Sequence, residues 1–185
     1  MKTIQYSVLV AASFAVMAIG CGNPAPQQST GPVVPEPTPV EFPETLMASI
    51  ALTDPVGVVD ARKNVEPGAE ITVTGFIGGR EEPFVDGRAI FTLADSKALT
   101  RCDSKPGDSC PTPWDACCDE PEKIKASVAT VQVVDGKGMV LKRKLNGVGG
   151  IAPGSTVSVK GRIAPGSTSA ALIINAEQIH VAPKP

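Results

Sequence analysis

From Pro67 to Val181 apolar and polar positions alternate with a period of two, the spacing at which one face of a β-strand meets a core and the other meets solvent. In the first run Ile71, Val73 and Ile77 share one face and Thr72, Thr74 and Phe76 the other, with Gly75 and the Gly78-Gly79 pair bending the strand. Ala89–Leu93 makes a second run and Ser127–Val134 a third. Asp135-Gly136-Lys137-Gly138 reads as a tight turn into a fourth, Met139–Leu145. Thr156–Ile163 and Ala171–Val181 complete the set. Helix is expected only as a turn over Glu122–Ala126 and as one or two turns over Glu44–Leu52. There Leu46, Met47, Ile50 and Ala51 would share a face until Asp54-Pro55 stops the helix.

Two runs echo each other: P-G-A-E-I-T-V-T-G-F-I from Pro67 and P-G-S-T-V-S-V-K-G-R-I from Pro153. Each has a Pro-Gly turn, an alternating stretch and a glycine two positions before isoleucine. The flanking residues do not repeat, so the echo reflects two strands with the same local demand rather than a duplication. A glycine inside a strand permits the strong coiling that closes a small barrel. Short coiled runs of this kind predict an all-β fold, a small Greek-key barrel, and the G-x-x-φ-x-V-x-G-x-I pattern resembles the first and fourth strands of OB-fold domains.

Ahead of the barrel the pattern changes twice. Residues 1–20 combine Lys2 with an apolar run from Val8 to Ile19, too short to span a bilayer, and have the grammar of an export signal. The end of that segment, Ala18-Ile19-Gly20-Cys21, resembles the lipobox of bacterial lipoproteins, with Ala18 where leucine is usual. The resemblance implies a diacylglyceryl thioether on Cys21, cleavage before it, and a membrane as first partner. Residues 21–45 carry prolines at 24, 26, 32, 35, 37, 39 and 43, which forbid a ladder or a helix and predict an extended, disordered tether. A lead-in over 46–60 then joins the barrel domain at 61–182.

The strongest local signal is the insertion at 96–126, whose centre, Cys102 to Cys118, reads C-D-S-K-P-G-D-S-C-P-T-P-W-D-A-C-C. It holds four of the five cysteines and the only tryptophan, Trp114. An exported compartment is oxidising, so Cys102, Cys110, Cys117 and Cys118 are expected to form two disulfides. Adjacent Cα atoms lie ~3.8 Å apart, closer than a bridge favours, so Cys117 and Cys118 do not pair with each other. The nested (102–118 with 110–117) and crossed (102–117 with 110–118) pairings both stand. A zinc site is disfavoured because C-x₇-C-x₆-C-C lacks the usual knuckle spacing, and a redox dithiol because C-x-x-C is missing. Trp114 reads as a plug over one barrel end, ahead of an exposed stacking surface.

Together with G-R-E-E-P-F-V-D-G-R-A-I-F-T-L-A-D at Gly79–Asp95, the C-P-T-P-W-D-A-C-C motif resembles a group of exported lipoproteins of planctomycete-type bacteria. The resemblance runs from Asp60 to about Val181. It implies an OB-fold-like domain in the cell envelope and brings no established activity.

Charge and chemistry narrow the function without naming a ligand. The formal net charge is −2, which gives no electrostatic case for nucleic acid. His180 is the only histidine, so the usual Ser-His-Asp and Cys-His arrangements have no base. Gly147–Gly154 is turn-rich and lacks the lysine and helix of a phosphate loop. Glu81, Glu82 and Asp86, with Arg80 and Arg88, form a mixed-charge hairpin tip. Lys142, Arg143 and Lys144, with Lys160, Arg162, Arg80 and Arg88, are the candidate ligand face, joined by Trp114; protection of an exposed strand edge explains the lysines equally simply and is preferred. The expectation is a membrane-tethered, non-catalytic envelope module that binds an envelope protein or glycan, without cofactor or metal. The alternatives are an oligosaccharide- or nucleic-acid-binding barrel and a metal- or thiol-dependent site at the cysteines.

Overall fold

The structure, a computed structural model, describes residues 41–107 and 109–183. The expected export signal, Cys21 and the expected tether as far as residue 40 lie outside the described residues. Six strands form one sheet: β1 (Val56–Gly57), β2 (Glu70–Ile77), β3 (Ile90–Ala94), β4 (Val128–Gln132), β5 (Thr156–Ile163) and β6 (Ile173–Val181). Their order is β1-β2-β3-β4-β6-β5, and a further pairing of β2 with β5 closes the last five into a barrel. All barrel pairings are antiparallel except β4 with β6. This is the strand order of an OB-fold-like Greek-key barrel.

The alternation of the sequence fills the barrel as expected. Val73 and Ile77 of β2, Phe91 and Leu93 of β3, Val131 of β4, Val157, Val159 and Ile163 of β5, and Ile174 and Ile179 of β6 pack in one buried cluster. The echoed glycines sit where neighbouring strands come closest: a Cβ at Gly75 would collide with the Ala94 carbonyl oxygen, and one at Gly161 with that of Asn175. Gly161 also marks the break in β5–β6 register after Lys160, so it serves both the bulge and the close approach.

Three expectations are corrected. Met139–Leu145 is not a strand; a lone bridge joins Val134 to Val140, and Leu141 and Leu145 turn inward from an irregular connection. Lys142, Arg143 and Lys144 interrupt the alternation there, and no partner strand is presented to them. The helix expected over Glu44–Leu52 is only a 3-10 turn, Glu44–Leu46, after which Met47 bridges Ile179 of β6 and the Ala48 N–H donates to the Ile179 carbonyl at 2.9 Å. Leu46, 1% exposed, anchors this segment in the barrel core. Finally, β5 is paired on both sides, so Lys160 and Arg162 guard no sheet edge.

Two short helices frame the rest: α1 (Val58–Ala61) follows β1, and α2 (Pro121–Ala126), with proline in its first turn, precedes β4. The buried Arg62 at the end of α1 ties distant segments together. Its guanidinium donates to the carbonyls of Ser169, Lys125, Val128 and Ala170 at 2.6–2.9 Å.

Candidate functional site

The insertion between β3 and β4 is built on backbone contacts to the barrel rather than on strands of its own. It starts at Asp95, a buried carboxylate that accepts N–H groups from Lys97 (2.8 Å), Ala98 (3.1 Å) and, across the chain, Val59 (2.9 Å). An aspartate that accepts the amides two and three residues on is a turn signal legible in Asp95-Ser96-Lys97-Ala98. Further along, the Gly79 N–H donates to the Trp114 carbonyl at 3.0 Å, and a side chain at Gly78 would strike that same oxygen. The Gly78-Gly79 pair therefore admits the insertion as well as bending β2.

The adjacent positions 76 and 77 of β2 face opposite ways. Ile77 enters the barrel, whereas Phe76 lies on the outside with Ala94, Leu99 and Ala116, flanked by Ile124 and Val128. The insertion thus has a small core of its own outside the barrel wall. Arg101 stacks over Phe76 at 5.9 Å, pairs with Asp103 and donates to the Gly154 carbonyl at 3.0 Å. Trp114 is half-buried and its indole N–H donates to the Glu81 carbonyl at 2.9 Å, so it clasps the β2–β3 loop.

Three of the four insertion cysteines converge, Cys102, Cys117 and Cys118, and Cys110 lies on the same loop. Cys102 is fully buried, its N–H held by the Asp115 carbonyl at 2.9 Å. Cys117 and Cys118 occupy the middle of a turn closed by Asp119 N–H on the Ala116 carbonyl at 2.8 Å. The sulfurs of Cys102, Cys117 and Cys118 lie within 4.8 Å of one another, with Cys102 to Cys117 at 3.5 Å. The Cys110 sulfur is 3.3 Å from the Thr112 hydroxyl and 3.7 Å from the Thr112 carbonyl oxygen. Burial, reinforced by the neighbouring thiols, pushes the Cys102 thiol up to about 12. None of the expected disulfides is at bonding distance among the described residues: Cys102 and Cys117 are 3.5 Å apart, beyond the ~2.05 Å of an S–S bond.

The predicted basic face does not assemble as one surface. Lys160 and Arg162, on β5, pair with Glu70 at 3.2 and 4.0 Å, and Arg162 also with Glu177 at 3.1 Å. On the β4–β5 connection Arg143 stacks over Phe42 at 5.3 Å, and Lys144 reaches Asp86 at 2.6 Å; Lys142 is exposed. Arg80 lines a small cleft with Arg62, Thr92 and Thr130, while Arg88 stays exposed on the β2–β3 loop. His180 is half-buried on β6, opposite Ser158 of β5.

What does come together is a mixed-charge cleft of about 350 Å³ between the β2–β3 loop and the β4–β5 connection, lined by Glu81, Glu82, Phe84, Asp86, Lys144 and Leu145 among others. Ala89 N–H on the Leu141 carbonyl, 2.9 Å, holds the two segments side by side. Val85 and Met139, 46% and 64% exposed, lie on these same segments. The sequence marked the charges of the tip but not the second wall, which depends on how the β4–β5 connection folds back.

The site and barrel define a small OB-fold-like module carrying a cysteine-rich insertion. No family model matches the chain. No curated protein matches it either. Among solved structures, the hypothetical protein ygiW from E. coli is similar at 16% sequence identity and a TM-score of 0.35, covering 74% of this chain and 96% of that one. So low a TM-score carries no argument; the fold stands on its strand order and register.

Proposed function

We propose that the chain is a lipid-anchored, non-catalytic module of the bacterial cell envelope whose barrel binds another envelope protein. The anchor rests on Cys21 at the end of an apolar export signal, and on the proline-rich tether that follows. The binding half rests on the mixed-charge cleft. Glu81, Glu82 and Asp86 on one wall oppose Lys144 on the other, with Phe84 between them. Three carboxylates facing one lysine beside an aromatic ring suit a folded protein surface or peptide that carries basic groups, and they repel a polyanion.

A photo-crosslinking residue placed at Val85 in the full-length, membrane-extracted protein tests this reading, with Glu177 on the far strand β6 as control. A protein adduct at Val85 that is absent at Glu177 and lost in Asp86→Lys is the expected result. Equal adducts at both positions, or retention of an envelope glycan with no protein adduct, would sink the reading and favour the saccharide-binding barrel. The anchor is tested separately: Cys21→Ser should abolish metabolic lipid labelling, and label retained on that variant removes the lipoprotein assignment.

A further inference from the structure

We propose that Cys102, Cys110, Cys117 and Cys118 form a four-thiolate site for a single zinc ion. A sequence spacing of C-x₇-C-x₆-C-C argues against such a site, because zinc ligands usually come in short knuckles. The fold removes that objection. Backbone bonds from Thr100 to the Asp119 carboxylate (3.0 Å), Cys102 to Asp115 (2.9 Å) and Asp103 to Pro113 (3.2 Å) lay the two arms of the loop against each other. The turn over 116–119 then presents two successive cysteines to one buried sulfur.

The distances are those of ligands around a cation. Four Zn–S bonds of ~2.3 Å in a tetrahedron set neighbouring sulfurs about 3.8 Å apart. Cys102 and Cys117 are at 3.5 Å, and Cys118 lies within 4.8 Å of both. Cys110 lies outside that group of three and is the fourth ligand the site would draw in from the same loop. The Thr112 hydroxyl, 3.3 Å from the Cys110 sulfur, is placed to donate to a thiolate and fix its direction, the kind of outer contact that metal ligands use. Cys102 forms a buried floor while Cys117 and Cys118 are exposed, which leaves an entry path.

Loading is a proton exchange without redox change: Zn²⁺ displaces four S–H protons to solvent and leaves a tetrathiolate of net charge −2. Oxidation to two disulfides would consume the same four sulfurs, so the two states exclude each other in one molecule. The proposal uses the thiols and not the cleft, so its failure leaves the envelope-binding reading standing; in an oxidising compartment it requires that zinc occupy the thiols before oxidation does.

The test uses full-length protein extracted from membranes without chelator and read by native mass spectrometry, elemental analysis and thiol alkylation. The expected result is one zinc per chain, with four thiols that resist alkylation until a chelator is added. Reconstitution with Co²⁺ should give the charge-transfer and d–d bands of tetrahedral thiolate ligation. Cys117→Ser and Cys118→Ser, at exposed positions, should each weaken zinc retention at least tenfold while far-UV dichroism stays unchanged. A metal-free chain lacking four hydrogens, the mass of two disulfides, overturns the proposal. So does a reduced chain that takes up no zinc or cobalt.

Discussion

The barrel and the insertion at 96–126 are ordered by opposite means. In the barrel each strand repeats one instruction, apolar then polar, and ladder pairing multiplies it: β2 alone meets β5 over seven residue pairs from Glu70–Arg162 to Phe76–Thr156. In the insertion almost nothing is regular beyond the 3-10 turn Cys102–Ser104 and α2. Single backbone bonds, the outer cluster around Phe76 and three converging sulfurs do the ordering. A periodic pattern encodes structure locally, whereas the insertion is specified by single contacts, its own and those the barrel offers. Its removal should therefore cost the barrel little.

The largest effect is expected inside the barrel. Phe91→Ala empties a fully buried site beside Phe84, whose ring lies 6.1 Å away, and should cost about 3–5 kcal/mol of global stability in urea unfolding. Retention of near-native stability would mean that the cluster is not one cooperative core. Next comes Arg62, the stitch between the regions, because it holds Lys125 and Val128 at the insertion's exit and Ser169 and Ala170 in the β5–β6 loop. Arg62→Ala strands four carbonyls at ~1–3 kcal/mol per buried unpaired group, partly relieved by water, for a loss on the order of 3 kcal/mol. Arg62→Lys should recover little of it, since an ammonium cannot reproduce the fork; full rescue would show that charge alone matters.

Trp114→Phe is smaller and local. It forfeits the indole bond to Glu81, about 1 kcal/mol, and should speed proteolytic cleavage within the insertion while the unfolding midpoint barely moves. The smallest effect belongs to the Asp135 turn, where backbone N–H groups of Met139 and Lys137, at 2.9 and 2.8 Å, hold the carboxyl below its ordinary value. A lowered folded value means the contribution is present above the unfolded value of ~3.9 and lost as pH falls through the folded one. Asp135→Asn should remove that acid dependence from Met139 amide exchange, and an unchanged profile would contradict it.

Most of the barrel was legible because alternation is a local signal. Thr156–Ile163 is β5 to the residue, and the second, third and last runs shift by one or two positions at their ends. The Val56–Gly57 pairing and α1 were not legible, being too short to show a period. In the lead-in, apolar Leu46 and Met47 suggested a helix face, yet each makes its own contact with the barrel. For the candidate site, the clustering of the thiols could be read and their bonding could not. Nor could the fate of the basic residues, because the register that sets Arg162 opposite Glu70 is written in the pairing of two strands far apart in the chain.

Hydrogen exchange of the full-length protein, before and after joint treatment with reductant and chelator, bears most directly on the separation of the two regions. Joint treatment frees the four thiols whether they hold metal or each other. The account predicts that amides over 100–119 lose protection while β2, β4, β5 and β6 keep theirs. Loss of protection in the strands at the same rate would show a single cooperative unit and contradict it.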